Sequence, residues 1–355
     1  MTTPERSLDL ERVVSLHDFE PLARLAMDPT SYDYIAGGSW DELSLAASEA
    51  AWRKRTLRPR VLVDVAAVDT ATTLLGEPSS MPVAIAPMAL HGLAHPDAEV
   101  ATARAAAAAR IPFIASTMSS RSLEETAAAI PEATRWFQLY AQADPRRTRS
   151  LVERAVAAGY RALILTVDLP VLGYRERDRR NGFELPPLGN FPNAPAEPDD
   201  AGTDWLSRSL TWSDLATIRS WAPLPLILKG ILTAEDARLA VEHGADAIVV
   251  SSHGARQLDR VAATVDVLEE IADAVRGRTE VWVDGGVRRG LDIAIALGLG
   301  ARGVLLGRPA LWALAAGGQA GVERALAILR EEFEITLALL GAASPSEVTR
   351  AHVGG

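Results

Sequence analysis

Ala247-Ile248-Val249-Val250 runs directly into Ser251-Ser252-His253-Gly254-Ala255-Arg256-Gln257-Leu258-Asp259. The first four residues form a short β-branched run of the kind buried on both faces of a parallel sheet. A histidine and an arginine three residues apart then stand at its carboxyl end. Imidazole titrates near neutral pH, and guanidinium grips a carboxylate through two parallel hydrogen bonds. The pair therefore suits a substrate with a removable proton and a carboxylate. Taken alone, the same residues fit a strand cap with a surface salt bridge. The neighbouring segments decide between these readings.

Apolar runs of similar length occur at Met81–Pro87, Pro112–Ser116, Arg135–Tyr140, Ala162–Asp168, Leu224–Lys229, Ala247–Ser252, Glu280–Asp284 and Gly303–Gly307. Amphipathic stretches such as Asp97–Arg110, Pro145–Ala158, Thr233–Glu242 and Thr264–Arg276 separate them. Strand and helix in alternation, eight times over, predict an α/β protein built as a closed (β/α)8 TIM barrel. An open doubly wound sheet is the alternative. Most runs end in a polar residue: Ser116, Gln138 and Tyr140, Thr166 and Asp168, Lys229, Ser251 and His253, Asp284, Arg308. In a barrel these ends converge on one face, so residues far apart in sequence share a pocket. Strand capping accounts for the serines and threonines but poorly for a lysine, an aspartate, a histidine and arginines.

Residues 1–80 precede the first run and predict a helical N-terminal extension, with helices at Leu16–Ala26 and Asp41–Lys54 and a hairpin around Thr72–Glu77. The connection after the fourth run is far longer than the usual few residues. Its Pro186–Asp204 portion is polar and rich in Pro, Gly, Asn and Asp, and predicts a lid loop over 186–210. A functionless insert is the competing view. The chain is otherwise read as one domain spanning 1–355.

Hydrophobic residues make up 48% of the chain and charged residues 23%, an ordinary globular composition. The formal charge of -10 argues against nucleic acid as a partner, since phosphate binding needs a basic face. Cysteine is absent, which removes disulfides, thiolate metal sites and cysteine nucleophiles; no metal site is expected. Met1–Glu20 lacks the apolar core of a signal peptide, and no apolar stretch has the length of a membrane span. The expectation is a cytoplasmic protein without a membrane partner.

Asp284-Gly285-Gly286-Val287-Arg288 follows the seventh run and Gly307-Arg308 the eighth. Glycines let the backbone approach an anion, helix N-termini present free N–H groups, and the arginines add charge. Barrels often hold phosphate with these two loops. A phosphate-bearing cofactor or substrate beside Lys229, His253 and Arg256 is the expectation.

These motifs resemble the FMN-dependent 2-hydroxy-acid oxidising enzymes, the family of glycolate oxidase, lactate oxidase and mandelate oxidase. The resemblance runs through Tyr32-Asp33-Tyr34, Arg58-Pro59-Arg60, Ile85-Ala86-Pro87, Ala94-His95-Pro96, Phe137–Tyr140, Leu165–Asp168 and Leu228-Lys229-Gly230 to the two loops above. It is strongest towards glycolate oxidase in His253–Asp259 and Asp284–Gly290. It implies FMN as cofactor and a small 2-hydroxy acid as substrate, with oxygen as the favoured acceptor. His253 is implied as catalytic base with Asp168 as its partner. Arg175 and Arg256 are implied to hold the substrate carboxylate, and Tyr34 and Tyr140 to contact the substrate. Pro87, Met88, Ala89, Ser116, Gln138, Thr166, Lys229 and Ser251 would surround the flavin. Asp284, Gly285, Gly286, Arg288, Gly307 and Arg308 would hold its phosphate. Relatives are mostly tetramers, which implies a homo-oligomer.

Two positions depart from the family pattern: Ser252 replaces the usual asparagine, and Met118 stands where glycolate oxidase carries tryptophan. A flexible thioether there predicts room for a substrate larger than glycolate. Four other readings stay open on the residues alone. They are a dehydrogenase with another acceptor, a monooxygenase of the lactate type, another FMN barrel enzyme such as an isomerase, and a Schiff-base aldolase using Lys229. A flavin-binding protein without turnover fits less well, because it need not keep a base and two carboxylate clamps together.

Overall fold

The computed structural model describes residues 10–191 and 205–354. All eight predicted runs form strands: β1 Val83–Ile85, β2 Phe113–Ala115, β3 Arg135–Leu139, β4 Leu163–Thr166, β5 Leu226–Ile231, β6 Ala247–Val250, β7 Glu280–Asp284 and β8 Gly303–Leu306. Each pairs in parallel with the next, and β8 pairs with β1, so the sheet closes into a barrel. The open-sheet alternative is excluded.

The period of two along each strand sorts its residues. Ile114, Trp136, Ile164, Ile227, Val249, Trp282 and Leu305 pack together inside the barrel, where the Trp136 and Trp282 rings meet edge-on at 5.3 Å. Leu74, from the hairpin Thr72–Leu74 and Glu77–Ser79, joins this inner core. Residues of the opposite parity, among them Phe113, Phe137, Leu163, Ile248 and Val304, pack outward in the larger core shared with the helices. The same parity carries two residues further. Ser116, Gln138, Thr166, Lys229, Ser251 and Asp284 therefore follow the inward set at the carboxyl ends, and all six are buried.

Short helices follow the strands, with recognisable starts. Ser122 closes a capping box on Leu123–Ala129, Asp144 caps Pro145–Ala157 with proline at its first turn, and Thr233 caps Ala234–Glu242. The final helical stretch, Arg308–Leu340, breaks at Gly317-Gly318, where Gly318 has φ 58.

The extension forms the expected helices, at Phe19–Ala26 and Leu43–Lys54, and one that was not anticipated, Pro29–Ala36. Residues 192–204 of the anticipated lid lie outside the described residues. The described residues on either side of that stretch are pinned. Gly189 N–H donates to the Ser119 carbonyl at 2.9 Å, and the buried Asn190 side chain bonds the Ser116 and Thr117 carbonyls and Leu123 N–H. On the far side, Ala143 N–H donates to the Trp205 carbonyl at 2.7 Å and Ser207 N–H to the Ala141 carbonyl at 2.9 Å. Among the described residues no helix is long and apolar enough to cross a membrane.

Candidate active site

A cavity of about 580 Å³ opens at the carboxyl end of the barrel, a size suited to a cofactor together with a small substrate. Tyr34, Pro87, Met88, Ala89, Met118, Tyr140, Arg175, Lys229, His253, Arg256, Asp284, Gly285, Gly286, Arg288, Gly307 and Arg308 all line it. Residues scattered from the extension to the eighth strand thus meet on one face.

His253 stands between two partners. Its Nδ1 lies 2.9 Å from Asp168 Oδ1, and its Nε2 lies 3.2 Å from the Tyr140 hydroxyl. A carboxylate at Nδ1 fixes the proton there and leaves Nε2 able to accept one. Burial pushes the His253 pKa below its usual value, and Lys229 adds to this against the opposing pull of Asp168. Burial works to raise the Asp168 carboxyl, but the imidazole, its hydrogen bond and Lys229 outweigh it and hold the group below the usual range. Both directions favour carboxylate beside neutral imidazole.

The backbone that presents this histidine is strained. His253, Gly254 and Ala255 have φ of 57, 63 and 60, left-handed values that cost a non-glycine residue roughly 1–2 kcal/mol. The turn is held by His253 N–H donating to Ser251 Oγ at 3.1 Å and by Arg308 Nη2 donating to the Gly254 carbonyl at 2.9 Å. Strain kept in place by surrounding bonds is typical of a functional turn.

The cationic side is built partly by the extension. Arg256 Nη1 donates to the carbonyls of Tyr34 and Gly37, and its guanidinium lies 4.8 Å over the Tyr34 ring. Arg308 donates to the carbonyls of Ile35 and Gly37, each at 2.9 Å. Arg175 Nε donates to the Arg256 carbonyl at 3.3 Å, and Arg288 pairs with Glu49 at 2.9 Å. Burial, then the neighbouring Arg175, pushes Arg256 down to about 10. Burial, then Arg256 and Arg288, pushes Arg308 down to about 9. Crowded guanidiniums lower one another in this way, and an anionic ligand relieves them.

Ser116, Gln138, Thr166 and Ser251 are not among the side chains that line this cavity. They form the buried layer beneath. Ser116 Oγ donates to Gln138 Oε1 at 3.1 Å and Gln138 Nε2 to Thr166 Oγ1 at 3.0 Å. Lys229 Nζ donates to Ser251 Oγ at 2.9 Å and lies 3.5 Å from Asp284 Oδ2. Asp168 likewise stands behind His253 and does not line the cavity. Sequence reading missed several wall residues: Leu169, Asp178, Phe183, Trp205 and Leu206. Phe183 stacks on Tyr34 at 4.3 Å, and Trp205 meets Tyr140 edge-on at 6.3 Å. Such pairings across long connections leave no local pattern to read.

The cavity fits a flavin nucleotide. Gly285 and Gly286, both at φ 86, open the backbone at the cationic end, and Ala86, Pro87 and Leu305 give an apolar stretch for a ring. Asp284 Oδ1 is buried with no protein partner, a polar atom waiting for a ligand contact. A family model described as FMN-dependent dehydrogenase matches residues 23–354. The chain belongs to that family. FMN is its cofactor.

Members of the FMN-dependent dehydrogenase family resemble it along their whole length. An L-lactate oxidase of Nostoc sp. is 48% identical, covering 94% of this chain and 96% of that relative. A glycolate oxidase of Spinacia oleracea is 45% identical, covering 96% and 95%. The likeness to lactate oxidase thus slightly exceeds that to glycolate oxidase over the full chain, whatever the two loop motifs suggest. A solved mandelate oxidase superposes with a TM-score of 0.91 at 43% identity, covering 96% of this chain and 98% of that one.

Proposed function

We propose that the protein oxidises an (S)-2-hydroxy acid to the 2-oxo acid and passes the electrons to oxygen, giving hydrogen peroxide. One observation carries this reading: His253, with Asp168 behind it and Tyr140 before it, shares a cavity with Arg175 and Arg256. The two guanidiniums hold the substrate carboxylate, and His253 Nε2 takes the hydroxyl proton. Asp168 stabilises the imidazolium that results, and the hydroxyls of Tyr140 and Tyr34 orient the substrate. FMN, when bound, supplies the two-electron acceptor for the α-carbon and the route to oxygen. Lys229 offers its positive charge at the cavity floor, where negative charge develops.

For the cofactor, Gly285, Gly286, Arg288, Gly307 and Arg308 would hold the phosphate, with Asp284, paired to Lys229, at the head of that loop. Pro87, Met88 and Ala89 would line the ring's site, and Ser116, Gln138, Thr166 and Ser251, in the layer beneath, would support it. The names of the relatives span lactate, glycolate and mandelate, so the side chain of the substrate is the open variable. Met118 packs in one apolar cluster with Leu169, Leu206, Tyr140 and Trp205, and its flexible thioether in that wall supports a substrate larger than glycolate. A cytoplasmic homotetramer completes the reading, the assembly being tested by light scattering of the purified protein.

The decisive experiment is anaerobic bleaching of the yellow holoenzyme by (S)- and (R)-2-hydroxy acids, followed by admission of air. Bleaching by (S)-acids, rapid recolouring and peroxide release are expected. A bleached enzyme that resists air on the turnover timescale makes it a dehydrogenase instead. A preference for glycolate over lactate, 2-hydroxyoctanoate and mandelate in kcat/KM overturns the substrate-size reading.

A further inference from the structure

A second cavity, of about 270 Å³, lies against the first at the carboxyl ends of β4 and β5. Tyr140, Leu169 and Leu206 line both, so their side chains form the partition. These residues pack as a small cluster with Met118 and Trp205, apart from the main core. Beyond the partition, Ala141, Val167, Leu210, Leu215, Leu228 and Ile231 give the cavity an aliphatic side, and Ser207, Arg208, Thr211 and Asp236 a polar one. The exposed Thr211 marks where this cavity meets solvent.

The parts of the partition differ in how firmly they are held. The Tyr140 ring is fixed by its hydroxyl against His253 and by the edge-on Trp205. Leu206 is fixed through its backbone, by the bridge to Gln142. Its side chain makes only van der Waals contacts, so a change of rotamer is what would join the two cavities beside Leu169. An alkyl chain fits such a passage, whereas an aryl ring would have to displace Tyr140.

We propose that the second cavity receives the distal alkyl chain of a linear 2-hydroxy acid of about the length of 2-hydroxyoctanoate. This rests on the hydroxy-acid reading above, which places the carboxylate at Arg175 and Arg256 and the hydroxyl at His253. The chain then runs past Met118 and between Leu169 and Leu206, leaving its end near the solvent opening. Each methylene that leaves water adds roughly three- to fourfold to kcat/KM.

The test is steady-state kcat/KM of the holoenzyme along lactate, 2-hydroxybutyrate, 2-hydroxyhexanoate and 2-hydroxyoctanoate. Wild-type enzyme should gain along the series; a fall beyond 2-hydroxybutyrate overturns the proposal. Ser207→Phe and Leu210→Trp each fill the second cavity from positions that do not line the first. Either should lower the 2-hydroxyoctanoate to lactate ratio by about tenfold or more, while Leu206→Ala should raise it. An unmoved ratio in a filled variant that keeps its full FMN content overturns the proposal and leaves the hydroxy-acid reading standing. If no acid of the series bleaches the flavin, both fall together.

Discussion

Asp168 Oδ1 and His253 Nδ1 lie 2.9 Å apart although 85 positions separate the two residues in the chain. The barrel makes this contact by setting the loops after β4 and β6 on the same face. A bulge in β5, which lies between those strands, keeps the approach open. At Gly230, with φ 115, a Cβ would come within 2.6 Å of the Asp168 Cβ. The proton-accepting nitrogen is thus aimed by a carboxylate that itself never lines the substrate cavity.

His253→Gln should retain FMN while anaerobic flavin reduction falls by about 10² to 10⁴. Stopped-flow bleaching measures this, and near-normal reduction would remove His253 from the base role.

The pH profile follows from the same imidazole. Burial lowers its pKa, and the active form is the neutral one. Reduction should therefore rise with pH through a midpoint below the usual value near 6.5 and stay level above it. A midpoint above 7 in the free enzyme contradicts the neutral assignment.

Gly230→Ala should damage turnover from outside the flavin cavity, which Gly230 does not line. The added methyl pushes on the Asp168 side chain, and the left-handed backbone costs roughly another 1–2 kcal/mol. Expected outcomes are a slower reduction rate with little change in KM, a lower Tm and retained FMN. An unchanged rate would show that the position of Asp168 does not matter.

Arg256→Lys should raise KM by about tenfold or more for a carboxylate substrate, because an ammonium cannot make the paired contact. The variant should also melt lower, since Arg256 ties the Tyr34 and Gly37 carbonyls to the barrel. Wild-type KM in this variant would exclude Arg256 as a carboxylate clamp.

Gly286→Ala should weaken FMN retention. At φ 86 the position is left-handed, and a Cβ would meet the Trp52 ring at 2.6 Å and the Ser48 carbonyl. Fluorescence of released flavin on dilution measures the loss; wild-type retention would separate this loop from cofactor binding.

Much of the barrel is legible because burial on both faces and a period of two are local signals. Trp136, Ile227, Val249 and Trp282 announce which parity faces inward. Gln138, Lys229, Ser251 and Asp284 then fall on the same side two residues later. Parity gives direction but not depth, so the sequence does not show that Ser116, Gln138, Thr166 and Ser251 sit a layer below the cavity lining. The helix Pro29–Ala36, which carries Tyr34, lacks an apolar stripe. Its signals were Asp28, whose Oδ1 accepts from Ser31 N–H at 2.9 Å, and Pro29 in the first turn. Phe183, Trp205 and Leu206 were illegible because only the fold brings their partners near.

The carbonyls of Tyr34, Ile35 and Gly37 end on Arg256 and Arg308, so a segment preceding the first strand sets the posture of two cations in the cavity. A minimal barrel cut away from that segment would lose its anion grip along with its stability. Anyone transplanting this reaction centre into another scaffold has to carry the leading helices with it.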